Sequence, residues 1–282
     1  MKTRIIFNNA AQDKIFKEKG YLIIDLMDKQ TAEKLYDKAA ELDAGVDAPF
    51  YTSLWSKDAA YRKTVNQLIE KEIGERVNSL FYDYTPFFGD LLVKRPSLTK
   101  DFPIHQDWTF VDETIYTSIY VWSPLQDVNY LNGNLQVVEG SHLFLDKIRG
   151  ANIKVSYEDL KPLIAKKYLK GIKLKAGQAI IFSQALLHAS PPNRSFKTRI
   201  AMGLLMLPKE ATVYHYFYDD TAQKIKRIKA DKEFFMHYSE QFDFQQALKD
   251  GKFDLSDYKN AEEIIQTDYN PVCNILELLH NK

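Results

Sequence analysis

Thr114-Ile115-Tyr116-Thr117-Ser118-Ile119-Tyr120-Val121-Trp122 is dense in β-branched and aromatic residues, the composition of a strand and not of a helix. Four other short runs share its character: Asp90 to Lys94, Leu135 to Val138, Ala179 to Phe182 and Arg199 to Leu207. Beyond Phe88 the chain therefore reads as β-rich, with an apolar period near two. Asn132-Gly133 and Lys175-Ala176-Gly177 supply turn chemistry between these runs, as antiparallel connections require. Upstream, Ala10 to Asp83 is mostly helical in pattern, with apolar positions such as Ile15, Phe16 and Leu35 and with Gly20 as a helix stop. One short strand, Tyr21 to Asp25, interrupts it. Glu158 to Leu169 reads as an inserted helix, and an aromatic stretch, Val213 to Tyr218, precedes polar helical segments up to Leu279. No Gly/Ser linker divides the chain. The expected architecture is α+β: one domain over 1–282, with helices to about 88, a closed or sandwiched antiparallel β core over about 89–208, and a mixed cover over about 209–282.

Composition narrows the function classes. The 282 residues are 45% hydrophobic, 27% charged and 13% aromatic, which excludes disorder for most of the chain. Lys plus Arg and Asp plus Glu are 38 each, so the formal charge is zero and no cationic field is available for a nucleic-acid backbone. The single cysteine, Cys273, allows neither an internal disulfide nor a CxxC zinc pattern and fits a reducing compartment. No apolar run approaches the roughly 18 to 20 residues that span a bilayer. The expectation is a cytoplasmic monomer or weak homodimer acting on a small molecule, without nucleic acid or membrane as partner.

The segment that carries chemistry is Ile104-His105-Gln106-Asp107-Trp108. In extended backbone, residues two apart project to the same side, so the His105 imidazole and the Asp107 carboxylate converge. His188, in Leu186-Leu187-His188-Ala189-Ser190, follows a separate strand run and completes the order of a 2-His-1-carboxylate site. Such a triad holds one face of an octahedral Fe(II) and leaves positions open for a bidentate co-substrate and dioxygen. Arg199 opens the last strand run, where a planar guanidinium can pair with the distal carboxylate of a 2-oxo diacid, and Ser190 points the same way as His188 with a hydroxyl to donate.

These residues, together with Trp122-Ser123-Pro124-Leu125 and Asp127, Asn132-Gly133-Asn134-Leu135-Gln136-Val137-Val138-Glu139-Gly140-Ser141-His142, and His188-Ala189-Ser190-Pro191-Pro192-Asn193, resemble the phytanoyl-CoA dioxygenase-like Fe(II)/2-oxoglutarate oxygenases from about Asp90 to Pro208. Asn134 and Glu139 stand where the family pattern usually has Ala and Pro. The resemblance implies a double-stranded β-helix, or jelly-roll, of the cupin-like kind with flanking helices at both ends. It implies iron on His105, Asp107 and His188, 2-oxoglutarate on Arg199 and Ser190, and approach of Gln106 and Trp122 to the co-substrate. Because Asp107 is present, and related halogenases carry Gly or Ala there, the resemblance favours hydroxylation, with ascorbate as a stimulant.

Other residues read more plainly. His142, after a Gly turn, reads as a loop hydrogen-bonding group; His215, among tyrosines and phenylalanine, fits a strand wall facing substrate and an ordinary half-buried strand equally well; His237 and His280 read as solvated. Lys94, Arg95 and Trp108 read as strand-end or core-edge residues ahead of binding roles, and Cys273 as a small core residue. Two rivals stand beside the oxygenase: a non-catalytic jelly-roll that binds a metal or ligand, and a zinc hydrolase on the same three ligands, which gives no reason for Arg199.

Overall fold

A computed structural model describes residues 4–144 and 148–237, and the backbone of 262–263. The helix α1 (Ala10–Lys19) begins where the Asn9 side chain accepts from the Ala11 and Gln12 amides, and it stops at Gly20, whose φ of 83° is left-handed and whose N–H reaches the Phe16 carbonyl at 2.7 Å. The chain then passes through β1 (Tyr21–Asp25), α2 (Lys29–Glu41), β2 (Phe50–Thr52), α3 (Ala59–Ile69) and, after a π-helical turn at Glu70–Gly74, α4 (Glu75–Val77). The β core follows: β3 (Tyr84–Lys94), β4 (Phe102–His105), β5 (Ile119–Pro124), β6 (Gln136–Val137), then α5 (Lys161–Lys167), β7 (Lys170–Gly171), β8 (Gln178–Ser183), β9 (His188–Ser190) and β10 (Arg199–Pro208). Beyond it lie β11 (Tyr214–Asp219), β12 (Lys224–Lys229), α6 (Lys232–His237) and the backbone pair β13 (Glu262–Glu263).

Two antiparallel sheets form the core, one ordered β1-β8-β5-β10-β3-β2 and the other β4-β9-β6-β7. From β3 to β10 the chain passes back and forth between them, with β6 and β7 paired in the smaller sheet, which is the winding of a jelly roll. Alternation of side chains explains why the larger sheet reads as apolar on every position. Ile119, Val121, Ile181, Ile200, Met202 and Leu204 pack outward on Phe16, Leu35, Val65 and Ile69 of the N-terminal helices, whereas Tyr120, Trp122, Phe182, Ala201 and Leu205 pack inward with Phe88 and Val137. All ten residues of β10 are buried.

Several boundaries differ from the sequence reading. β3 begins at Tyr84, so the helical part ends before 88. Thr114 to Ser118 is not strand, because the Asp112 carboxylate accepts from the Thr114 amide and hydroxyl and holds a turn there. Glu158–Leu160 is a 3-10 turn, so the inserted helix proper is only α5. The polar segment Lys224–Lys229 is a strand and not a helix: its cross-strand partners are the aromatic residues of β11, with Arg227 beside Tyr216 and its guanidinium 4.2 Å over the Tyr214 ring. Of the helices expected up to Leu279, α6 is described; the stretch after His237, and with it Cys273 and His280, lies outside the described residues apart from the backbone of 262–263. Among the described residues no helix is long and apolar enough to cross a membrane.

Candidate metal centre

Pairing of β4 with β9 sets His105 opposite His188, and the two rings lie with centroids 4.1 Å apart. Asp107 falls just past the end of β4, where its N–H donates to the Gln184 carbonyl at 3.1 Å. Nε2 of each imidazole is 3.7 Å from the same carboxylate oxygen, Oδ1, and one ligand atom from each of the three residues lies within 4.8 Å of the others. Nδ1 of His105 is 2.9 Å from the Pro103 carbonyl and Nδ1 of His188 is 2.9 Å from the Leu186 carbonyl. A carbonyl only accepts, so each Nδ1 carries the proton and each Nε2 turns a lone pair toward Asp107.

Burial pushes His188 down to about 4, and His105 is driven the same way by burial and by its neighbour His188. Burial raises Asp107, against the lowering pull of His105 and Arg149. Two neutral rings and one carboxyl therefore converge with no proton donor between them, a donor set that fits a divalent cation with an open face. An imidazole held neutral in the fold but ordinary in the unfolded chain stabilises fully above pH 6.5 and loses that contribution as pH falls toward 4, at up to ~1.4 kcal/mol per pH unit. In the metal-free protein the His188 ring resonances are expected to stay flat from pH 8 to 5 by NMR. A midpoint near 6.5 would mean that the ring is solvated.

The triad opens on a cavity of about 350 Å³ whose walls include Arg199, Ser190, Gln106, Trp122 and Trp108. Arg199 is 2% exposed and stands 5.2 Å over the Trp122 ring; its Nη1 donates to the Gly133 carbonyl at 2.9 Å and its Nε has no partner. No carboxylate among the described residues pairs with it, and burial lowers it to about 9. Lys94 is its Cα partner across β3 and β10, fully buried and pushed down to about 7 by burial and by Arg199. Its Nζ donates to the Ser190 hydroxyl at 2.7 Å and to the Ser190 carbonyl at 2.9 Å. Arg199, a buried cation on the cavity wall with no carboxylate partner among the described residues, forms an end of the site that fits a carboxylate ligand, and Lys94 stands behind Ser190 at that end.

The structure thus brings all seven sequence-derived residues to one cavity, with two qualifications. The Ser190 hydroxyl already donates to the Gly133 carbonyl at 2.9 Å, and the Gln106 amide nitrogen donates to the Ala185 carbonyl at 2.6 Å. His142 lies elsewhere, its Nε2 being 3.1 Å from the Lys17 carbonyl. His215 is buried beside Trp108, Phe217 and Phe234 and does not line the cavity. His237 is exposed, and Arg95 pairs with Asp43 at 2.7 Å. Sequence reading missed Arg149, whose guanidinium grips the buried Glu113 bidentately at 2.5 and 2.8 Å while its Nε donates to the Asp107 carbonyl at 2.9 Å. Nothing in the spacing of a loop arginine signals that role.

A jelly roll that gathers two imidazoles, one carboxyl and a buried, anion-free guanidinium around one cavity defines the class of proteins built on a 2-His-1-carboxylate centre. Within that class the chain belongs to the phytanoyl-CoA dioxygenase (PhyH) family, whose sequence model matches residues 16–201. A phytanoyl-CoA dioxygenase of Arabidopsis thaliana is 32% identical over 116 residues, which are 40% of this chain and 41% of that relative, so the match spans less than half of the relative's length. Among solved structures, SnoK, a non-heme alpha ketoglutarate dependent carbocyclase from nogalamycin biosynthesis, superposes with a TM-score of 0.55 at 19% identity over 73% of this chain and 86% of its own. HygX from Streptomyces hygroscopicus, solved with nickel, 2-oxoglutarate and hygromycin B, gives 0.53 at 14% identity over 72% and 88%. Identities this low show a shared fold.

Proposed function

We propose that the chain is an Fe(II)- and 2-oxoglutarate-dependent dioxygenase that hydroxylates an unactivated C–H bond of a small molecule. The reaction consumes one dioxygen and one 2-oxoglutarate and yields the alcohol, succinate and carbon dioxide. The observation that carries this reading is the convergence of His105, Asp107 and His188 within 4.8 Å, on a cavity that Arg199 also lines. His105 Nε2, His188 Nε2 and an Asp107 oxygen would hold the metal. Arg199 would hold the distal carboxylate of 2-oxoglutarate, while Trp122, Ser190 and Gln106 border it and Lys94 holds Ser190 from behind. Ferrous iron bound with that co-substrate supplies the oxidising power. The protein's part is to keep both imidazoles unprotonated, to fix the acid by charge, and to exclude water with the aromatic walls of the cavity. The same reading makes it a cytoplasmic single-domain protein acting as a monomer or weak dimer.

Arg199→Lys retains a positive charge but loses the planar fork, so the 2-oxoglutarate KM is expected to rise by about tenfold, with metal binding retained. An unchanged KM would mean that another group is the anchor. The activity itself is tested by succinate release across small-molecule classes with Fe(II), 2-oxoglutarate and ascorbate, followed by mass spectrometry under labelled dioxygen. One labelled oxygen in product and one in succinate is the expected result. Binding of both ligands without succinate from any class would favour the non-catalytic jelly roll.

A further inference from the structure

We propose that the cavity takes a small-molecule substrate carrying a cationic nitrogen, and that this group pairs with the carboxylate of Asp90 on the cavity wall; the inference rests on the oxygenase reading of the same cavity.

Asp90 lies on β3, is 2% exposed and lines the cavity. It accepts hydrogen bonds from the Tyr120 hydroxyl and, at 2.6 Å, from the Thr52 hydroxyl. No Lys or Arg among the described residues pairs with it. A carboxylate offers about four lone-pair sites, so two donors leave room for a third partner. Burial raises it to about 6, with Asp107 adding to the rise, and the hydrogen bonds from Thr52 and Tyr120 oppose that rise by favouring the carboxylate. A buried anion with hydrogen bonds but no counter-ion is incomplete until a cation arrives.

The surroundings suit such a group. Phe88, Phe110 and Phe182 line the same cavity and offer ring faces, which attract cations once water is excluded. Asp90 is the cross-strand partner of Gly203, four residues along β10 from Arg199, which is about 13 Å at ~3.3 Å per residue. One cavity thus holds a buried cation suited to a diacid and, four residues further along the same strand, the position opposite which a buried carboxylate stands with no Lys or Arg partner among the described residues. Gly203 makes space for that carboxylate: a side chain there would collide with the Tyr120 hydroxyl and with Asp90 Oδ1.

A purely structural Asp90 would tie β2 to β3 through Thr52 and show no preference for charge in a ligand. The test loads the full chain with Ni(II) and 2-oxoglutarate, checks loading by calorimetry, and titrates three matched probes: 2-phenylethylammonium, 2-phenylethanol and 3-phenylpropionate. The ammonium is expected to bind at least about tenfold more tightly than the alcohol, and the carboxylate least. Asp90→Asn should bring ammonium and alcohol within about twofold of each other while 2-oxoglutarate loading persists. Equal binding of ammonium and alcohol by wild type, preference for the carboxylate, no saturable binding of the ammonium at millimolar concentration, or an Asp90→Asn protein that keeps the preference would each overturn the proposal. If that variant fails to fold, the wild-type comparison decides alone. Failure of wild type to load 2-oxoglutarate would count against the oxygenase reading instead, and the same titrations on unloaded protein would still decide the charge preference.

Discussion

Replacing Asp107 with alanine should reduce substrate-dependent succinate formation by roughly three orders of magnitude or more, about 4 kcal/mol of lost transition-state stabilisation. The carboxylate is the one anion among the three candidate ligands, and without it Arg149, bound at the residue-107 carbonyl, opposes a metal placed on two neutral rings. The substitution should not unfold the protein. Burial raises the Asp107 pKa, which means that the fold disfavours the ionised form in the metal-free state. Removing the group relieves that cost, so the metal-free variant should melt at the wild-type temperature or above it. Metal stoichiometry by elemental analysis and melting by calorimetry check the two halves separately. Near wild-type turnover would mean that Asp107 is not a ligand; a collapse of stability without metal would mean that it is structural.

The second large effect concerns Arg149→Met. Arg149 and Glu113 are 4% and 7% exposed at the side chain and form a bidentate pair, so the variant leaves a carboxylate buried without its counter-charge. The expected loss is about 3–5 kcal/mol in urea denaturation. The double replacement with Glu113→Leu should recover most of it, because the cost lies in the orphaned charge more than in the missing bond. Arg149 also donates to the Asp107 carbonyl, and its amide bonds the Thr109 hydroxyl, so the double variant should fold yet bind metal roughly tenfold more weakly. A loss below about 1 kcal/mol in the single variant would show that Glu113 has water or another partner.

What the sequence disclosed follows from where chemistry resides in one residue type and where it arises only from register. His105, Asp107, His188 and Arg199 were legible because few other roles demand an imidazole, a carboxylate and a guanidinium in that order among strand runs. The convergence was right for a reason the spacing did not contain: β4 ends at His105, and Asp107 is held past the strand by its bond to Gln184. Lys94 read as a strand-end lysine, and only the β3–β10 register sets it beside Arg199. Asp90 was visible as the first residue of a strand run, but its inward face and its bond to Tyr120 depend on the neighbouring β5. Thr114 to Ser118 has strand composition, yet the Asp112 turn overrides propensity there. Lys224–Lys229 looked polar and helical because its apolar contact comes from across the sheet and not from within its own segment.

The most direct measurement is anaerobic visible spectroscopy as Fe(II) is titrated into protein holding 2-oxoglutarate. Bidentate chelation should give a weak charge-transfer band that saturates at one iron per chain, disappears in His188→Ala, and needs more 2-oxoglutarate in Arg199→Lys. No band at saturating ligand, or a band that His188→Ala leaves intact, would contradict a shared iron and co-substrate site in this cavity.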